Sequence, residues 1–339
     1  MSDRARGALL GMAVGDALGT TYEFERMTQP ELPALATGPA TDVVGGGPFG
    51  LVAGQITDDT QLAVCLARSL HAHGTLDVAD LAERFVAWRT HAFDIGSQTR
   101  ASIDRLEAGE PASSAGLAVW RSTERRAAGN GSLMRTAPIG VAYAPGDALI
   151  NAAIAESLIT HADPRCALAC AAFDSAIAAA IAGPLDGRAM VEVARASLTV
   201  AHAKLRAAWH GDALDLAAAD QAAIDLASDL DAALATDPEL YSSTLHILRT
   251  AGFVRVAFRL AFWHAVHTPA WRDALVDTAS RGGDADTNAA IVGALLGARD
   301  GAGAIPSAWV DRVLAATQPG PQEWADAHHP RHLLALVRE

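Results

Sequence analysis

The segment Gly7-Ala8-Leu9-Leu10-Gly11-Met12-Ala13-Val14-Gly15-Asp16-Ala17-Leu18-Gly19 sets a glycine at every fourth position of an apolar run. On a helix, positions four apart lie on one face, so these glycines form a stripe without side chains. Each costs about 1 kcal/mol of helix propensity relative to alanine, and a stripe of them needs a compensating contact. Close approach of a second helix is the simplest. Gly293 and Gly297 repeat the spacing late in the chain. In a bilayer such a stripe can drive dimerisation, but Asp16 interrupts this one. The first and the late helix are therefore predicted to be close-packed core elements.

Working outward, the remaining chain also reads as helix. Of its 339 residues half are hydrophobic and only 5% aromatic. A composition led by Ala and Leu favours helix over sheet. Apolar periodicity predicts helices over residues 59–71, 78–90, 96–106, 146–159, 166–181, 191–209, 213–235, 243–265, 271–279, 287–296 and 307–316. No strand-alternating run exceeds a few residues. Residues 30–55 read as one long Gly- and Pro-marked loop, which inside a compact domain is often functional. Residues 1–339 are expected to form a single all-α domain.

A net charge of −13 argues against nucleic acid and against anionic membranes as partners. The N-terminal segment has no convincing signal-peptide cleavage pattern. The Ala-rich run 166–185 carries Asp174 in its middle and ends at Gly183-Pro184, which favours a buried helix over a membrane span. Cys65, Cys166 and Cys170 are odd in number and read as reduced core thiols. A cytoplasmic protein, and a monomer, is expected.

Two acidic runs carry the chemistry: Ile56-Thr57-Asp58-Asp59-Thr60 and Gly282-Gly283-Asp284-Ala285-Asp286-Thr287. Each stands where a loop becomes a helix, so each could be an N-cap. A cap needs one side-chain oxygen, however, and each run offers a surplus. Hard oxygen ligands at that density suit Mg²⁺ or Mn²⁺. Clustered carboxylates without cations are costly. Between the runs lies Gly129-Asn130-Gly131-Ser132-Leu133-Met134-Arg135, whose glycines, side-chain donors and arginine can cradle a phosphate or simply make a turn. His161 follows a helix and could serve as a dipole partner at its C-terminus. His264 and His267 share a helix face, but with no third ligand they read as a packed or surface pair.

Taken in order, Gly15-Asp16-Ala17-Leu18-Gly19, Gly45-Gly46-Gly47-Pro48-Phe49, Thr57-Asp58-Asp59-Thr60, Asp94-Ile95-Gly96, Gly129 to Arg135, Thr160-His161 and Gly282 to Thr287 resemble the ADP-ribosylglycohydrolase family. The likeness is strongest to its bacterial branch typified by the dinitrogenase reductase-activating glycohydrolase. The motifs span most of the chain. The resemblance implies an all-α fold: one compact orthogonal multi-helix domain with a dinuclear Mg²⁺ or Mn²⁺ centre in a cleft. By position it implies Thr57, Asp58, Asp59, Asp284, Asp286 and Thr287 as metal ligands, with Asp286 bridging. Glu23 matches the family's mobile acidic residue, and Asp94 an acid near the leaving group in arginine-directed members. Gly129, Asn130, Gly131 and Ser132 match the segment holding diphosphate and ribose; His161 matches a ligand-contacting histidine. Gly252-Phe253 departs from a frequent Gly-Tyr at the place of adenosine stacking.

The activity so implied is hydrolysis of the N- or O-glycosidic bond between ADP-ribose and an acceptor, with ADP-ribosyl-arginine on a protein favoured by Asp94. An ADP-ribose-containing small molecule is the other partner class. Either Glu23 or Asp94 could be the acid or the base. Two alternatives use the same residues. A two-metal phosphohydrolase acting on a nucleotide would release inorganic phosphate. A catalytically silent ADP-ribose-binding protein would bind without needing metal.

Overall fold

A computed structural model describes residues 3–209 and 212–337; the ends of the expected 1–339 domain lie outside them. Fifteen α-helices follow one another among the described residues: α1 (Asp3–Gly19), α2 (Asp58–His73), α3 (Val78–Arg89), α4 (Ser97–Glu107), α5 (Ala112–Ser122), α6 (Ala137–Ala142), α7 (Asp147–Leu158), α8 (Pro164–Ala182), α9 (Gly187–Ala208), α10 (Ala213–Leu234), α11 (Val254–His267), α12 (Trp271–Ser280), α13 (Ala285–Asp300), α14 (Ser307–Ala315) and α15 (Gln322–Ala327). The sole ladder among these residues is a hairpin of two-residue strands, β1 (Gly45–Gly46) and β2 (Leu51–Val52), inside the long loop.

Glycine decides the centre. A Cβ on Gly11 would overlap the carbonyl oxygen of Gly293, and one on Gly297 would overlap that of Gly7. The same holds for Gly15 against Ala289 and Gly19 against Ala285. Helices α1 and α13 thus lie antiparallel with their backbones touching, as the stripe predicts. Their register has a consequence for function. It sets the N-terminus of α13, with its acidic run, beside the C-terminal end of α1, where Asp16 stands.

Around this pair sits one continuous apolar core. Helix α8 is long and apolar enough to cross a membrane by composition, yet most of it is buried inside the protein. The three cysteines are free and buried. His264 is enclosed against Asp277, at 3.2 Å, and His267 stacks on Trp263, so the two histidines are packed groups.

Sequence periodicity fails in two ways. The helix expected over 243–265 begins only at Val254. Upstream, Ser242 Oγ accepts from the backbone N–H groups of Thr244 and Leu245, and Thr250 Oγ1 accepts from that of His246. Such local bonds compete with the helical ladder. Helices α5, α6 and α15 are unforeseen because prolines at their starts, Pro111, Pro138 and Pro321, resemble loop markers. Proline at a helix N-terminus removes only an N–H that has no partner there.

Candidate active site

Asp16 is the residue on which the site is built. Fully buried in α1, it accepts hydrogen bonds from Thr57 N (3.0 Å), Thr57 Oγ1 (3.0 Å), Thr60 N (3.1 Å) and Thr60 Oγ1 (2.5 Å). A carboxylate from another helix therefore caps α2. Thr57, the residue at the N-cap position, makes no capping bond with its own side chain. The carboxylates of Asp58 and Asp59 are left free of capping duty, which removes the simplest structural explanation for the first run. Burial pushes the Asp16 carboxyl up to about 6 against the lowering effect of its four donors. Sequence reasoning missed its role. The available signal was a carboxylate between Gly15 and Gly19, on a helix that must be buried.

The two acidic runs meet. Thr287 Oγ1 lies 3.3 Å from Asp59 Oδ2, across 228 residues of sequence. Thr57 Oγ1 is also 3.3 Å from that oxygen. Single carboxylate oxygens of Glu23, Asp94 and Asp286 lie within 4.8 Å of one another. Asp58 adjoins Asp94. In the second run Asp286 Oδ1 accepts from Thr287 N at 2.8 Å, a partial cap, while Asp284 Oδ2 accepts from Asn130 Nδ2 at 2.6 Å.

The crowding shows in the acids themselves. Burial, then the charges of Asp286 and Asp94, pushes Glu23 far above the usual carboxylate range. Asp58, Asp59 and Asp286 rise for the same two reasons, burial first and neighbouring carboxylates second. Burial raises Asp284 against the pull of Asn130, and brings Asp94 to about 6. Glu23 Oε2 and Asp59 Oδ1 are buried with no hydrogen-bond partner among the described residues. Orphaned, closely set oxygens of this kind are what a hard divalent cation satisfies.

Above the acids opens a cavity of about 600 Å³. Glu23, Asp58, Asp94, Asp284, Asp286 and Thr287 line it together with Gly129, Asn130, Gly131 and His161. The glycine segment pairs with the residues before α11, through Asn130 N to Gly252 O and Val254 N to Ala128 O. Gln98, unmentioned by any motif, also lines the cavity and accepts from Gly129 N at 3.2 Å. His161 is buried, and burial followed by the Arg135 charge lowers its pKa well below 6.5, so it is neutral. Its Nδ1 meets Thr160 Oγ1, which accepts from Arg135 Nη2. The network closes when Thr160 donates to Nδ1, leaving the imidazole proton on Nε2. A Cβ on Gly131 would approach His161 Nε2 to 2.8 Å. Gly131→Ala is therefore expected to displace His161 and raise KM about tenfold or more, measured by steady-state kinetics, a misplacement effect.

Four expectations need correction or refinement. Ser132 is fully buried behind the cradle, where its hydroxyl accepts from Ser157 at 2.9 Å, so its side chain is not a cleft group. Arg135 lies beneath the loop, paired with Glu156 at 2.6 Å and set over the Phe85 ring, so its charge does not face the cavity. Asn130 spends its amide on Asp284 and tethers the cradle to the acidic run. The Phe253 ring carries the guanidinium of Arg165, with 5.2 Å from centroid to Cζ. Each outcome follows from partners distant in sequence.

Comparisons with known proteins agree with this architecture. The sequence profile described as ADP-ribosylglycohydrolase matches residues 1–336. The ADP-ribosyl-[dinitrogen reductase] glycohydrolase of Rhodospirillum rubrum is 33% identical, over 92% of this chain and 90% of its own length. The ADP-ribosylarginine hydrolase Tri1 of Serratia proteamaculans is 29% identical, over 92% of this chain and 75% of its own. A solved structure titled ADP-ribosylglycohydrolase-related protein complex superposes with a TM-score of 0.70 at 28% identity, covering 99% of this chain and 97% of that one. The chain belongs to the ADP-ribosylglycohydrolase family.

Proposed function

We propose that this protein is a metal-dependent hydrolase that cleaves the glycosidic bond between ADP-ribose and an acceptor, with ADP-ribosyl-arginine on a protein as substrate. One observation carries the proposal: two acidic runs, 228 residues apart at the Asp59–Thr287 contact, converge on a single cavity floor with unpartnered oxygens. Thr57, Asp58, Asp59, Asp284, Asp286 and Thr287 form an all-oxygen donor set that fits two Mg²⁺ or Mn²⁺ ions. When bound, the ions supply charge neutralisation of the carboxylates and polarisation of the ribose hydroxyls. The arginine linkage draws support from the bacterial relative named an ADP-ribosylarginine hydrolase and from Asp94 beside the acids.

The chain's own groups divide the remaining work. The backbone N–H of Gly131 and the Nε2 proton of neutral His161 receive the diphosphate and adjoining ribose, those of Gly129 and Asn130 being given to Gln98 and Gly252. Glu23 and Asp94 flank the glycosidic bond. One of them can donate to the departing nitrogen while the other takes a proton from water attacking C1″. The buried, reduced Cys65, Cys166 and Cys170 fit a cytoplasmic enzyme. The direct test incubates the protein with arginine- and serine-ADP-ribosylated peptides and each metal, reading free ADP-ribose. Release of inorganic phosphate instead would replace this proposal with a phosphohydrolase.

Two physical outcomes accompany it. Cations that bind only the folded protein stabilise it by about 2.7 kcal/mol at a hundredfold excess over Kd, roughly 4 °C in Tm for a chain of this size. A Tm indifferent to EDTA would count against the site. In chelator the acids reverse the usual pH profile of a carboxylate. Asp94 has a folded pKa near 6, above its ordinary 3.8. Its share of stability is therefore fully present below 3.8 and is lost as pH rises through about 6. Urea melts of the EDTA-treated protein should show stability falling between pH 4 and 7, less so in Asp94→Asn and not with saturating Mg²⁺.

A further inference from the structure

We infer that Phe24, Phe49 and Phe93 form an aromatic collar that receives the guanidinium of the acceptor arginine, an inference that rests on the hydrolase proposal and adds the surface that selects the acceptor. Phe85, Phe173, Phe258 and Phe262 are fully buried, as phenylalanine usually is in a core. Phe24 is 66% exposed and Phe93 36% exposed, and Phe49 stands between them. Ring centroids lie 6.3 Å apart for Phe24–Phe49 and 5.4 Å apart for Phe49–Phe93. Both pairs meet edge to face, at 72° and 64°, so the three rings do not close into a sealed stack.

Position ties the collar to the reaction. Phe24 directly follows Glu23 and lines the cavity; Phe93 directly precedes Asp94. Phe49, from the turn of the β1–β2 hairpin, bridges the two. Each candidate acid thus has a collar ring as its chain neighbour, and Glu23, Phe24 and Asp94 line the same cavity as the glycine cradle and His161. A leaving group protonated by Glu23 or Asp94 departs on the collar side.

Phe24 is also held in place. Its N–H donates to Gly283 O at 2.7 Å, and Gly283 N donates to Glu25 O at 2.9 Å. Its φ of +61° is a left-handed conformation that a bulky residue rarely adopts. Strain of this kind persists where surrounding bonds enforce it and clusters at functional sites. An aromatic face attracts a guanidinium, which is planar, cationic and weakly hydrated. A serine acceptor offers neither charge nor plane. Glu25 and Arg26, both exposed beside Phe24, line the cavity with opposite charges, so the selection rests on the rings.

The test measures binding by calorimetry in the Asp286→Asn background, where turnover is blocked. Probes are an arginine-ADP-ribosylated peptide, the serine-linked equivalent and free ADP-ribose. Phe24→Ala and Phe49→Ala should each weaken the arginine peptide by roughly fivefold to thirtyfold, with free ADP-ribose changed less than about twofold. Phe24→Tyr should keep the preference and Phe24→Leu should lose it. Unchanged arginine-peptide affinity, equal losses for ADP-ribose, or a Leu variant as good as Tyr would overturn the collar. If wild type nevertheless releases ADP-ribose, the hydrolase proposal survives that result. If wild type releases none from any linkage, the hydrolase proposal falls; arginine-peptide binding that still depends on Phe24 keeps the collar, and no binding removes it too.

Discussion

Asp286→Asn is expected to lower ADP-ribose release by at least roughly a thousandfold, the loss that follows when several kcal/mol of charge stabilisation leaves the transition state. Asp286 brings an oxygen within 4.8 Å of those from Glu23 and Asp94. Asparagine keeps the shape and removes the charge. Circular dichroism should remain helical. The variant has a second, opposite signature: in chelator it should be as stable as wild type or more so. Asp286 raises Glu23 and Asp59 by its charge, so its neutralisation relieves like-charge crowding. Retained turnover at saturating Mg²⁺ or Mn²⁺ would sink the metal assignment. A large stability loss in EDTA would show that Asp286 is structural instead.

Gly11→Ala should be strongly destabilising. Its Cβ would overlap the carbonyl group of Gly293, which belongs to the backbone of α13 and has no rotamer to change. Overpacking a core typically costs 1–3 kcal/mol, occasionally more, and here the gain in helix propensity, about 1 kcal/mol, recovers only part. Net loss should be about 2 kcal/mol or more, with a Tm drop of roughly 3 °C or more. Separation of α1 from α13 also pulls Asp16 from the second acidic run, so Mg²⁺ affinity should fall with it. Gly303→Ala, where an added Cβ meets nothing within 4 Å, is the matched control and should be near neutral. Equal melting temperatures for the two variants would overturn the account of the stripe.

Much of this was legible in advance. Long amphipathic or fully apolar runs announce helices because burial imposes their period, and the glycine stripe announced its own partner. Acidic runs at two helix starts announced, by surplus, carboxylates that do more than cap. Other features were not legible. Ser132 and Arg135 belong to a motif whose glycines face the cavity, yet both side chains turn inward, to Ser157 and to Glu156. Nothing in their local sequence distinguishes a phosphate donor from a buried pair. Asp16 looked like an interruption because its four donors lie more than forty residues away.

Elements and ingredients were set locally: a helical chain, a pair of helices that must touch, and two clusters of hard oxygen ligands. Those properties are local, written in periodicity and in residue chemistry at short spacing. That the clusters meet is a product of folding. The α1–α13 contact fixes where the second run lies, and Asp16 draws the first run to it by capping α2 from outside. That job, done by a distant carboxylate, is what frees Asp58 to line the cavity and Asp59 to meet Thr287 behind it. Contacts between residues far apart in sequence leave no local pattern, so the site emerges only when the chain is folded.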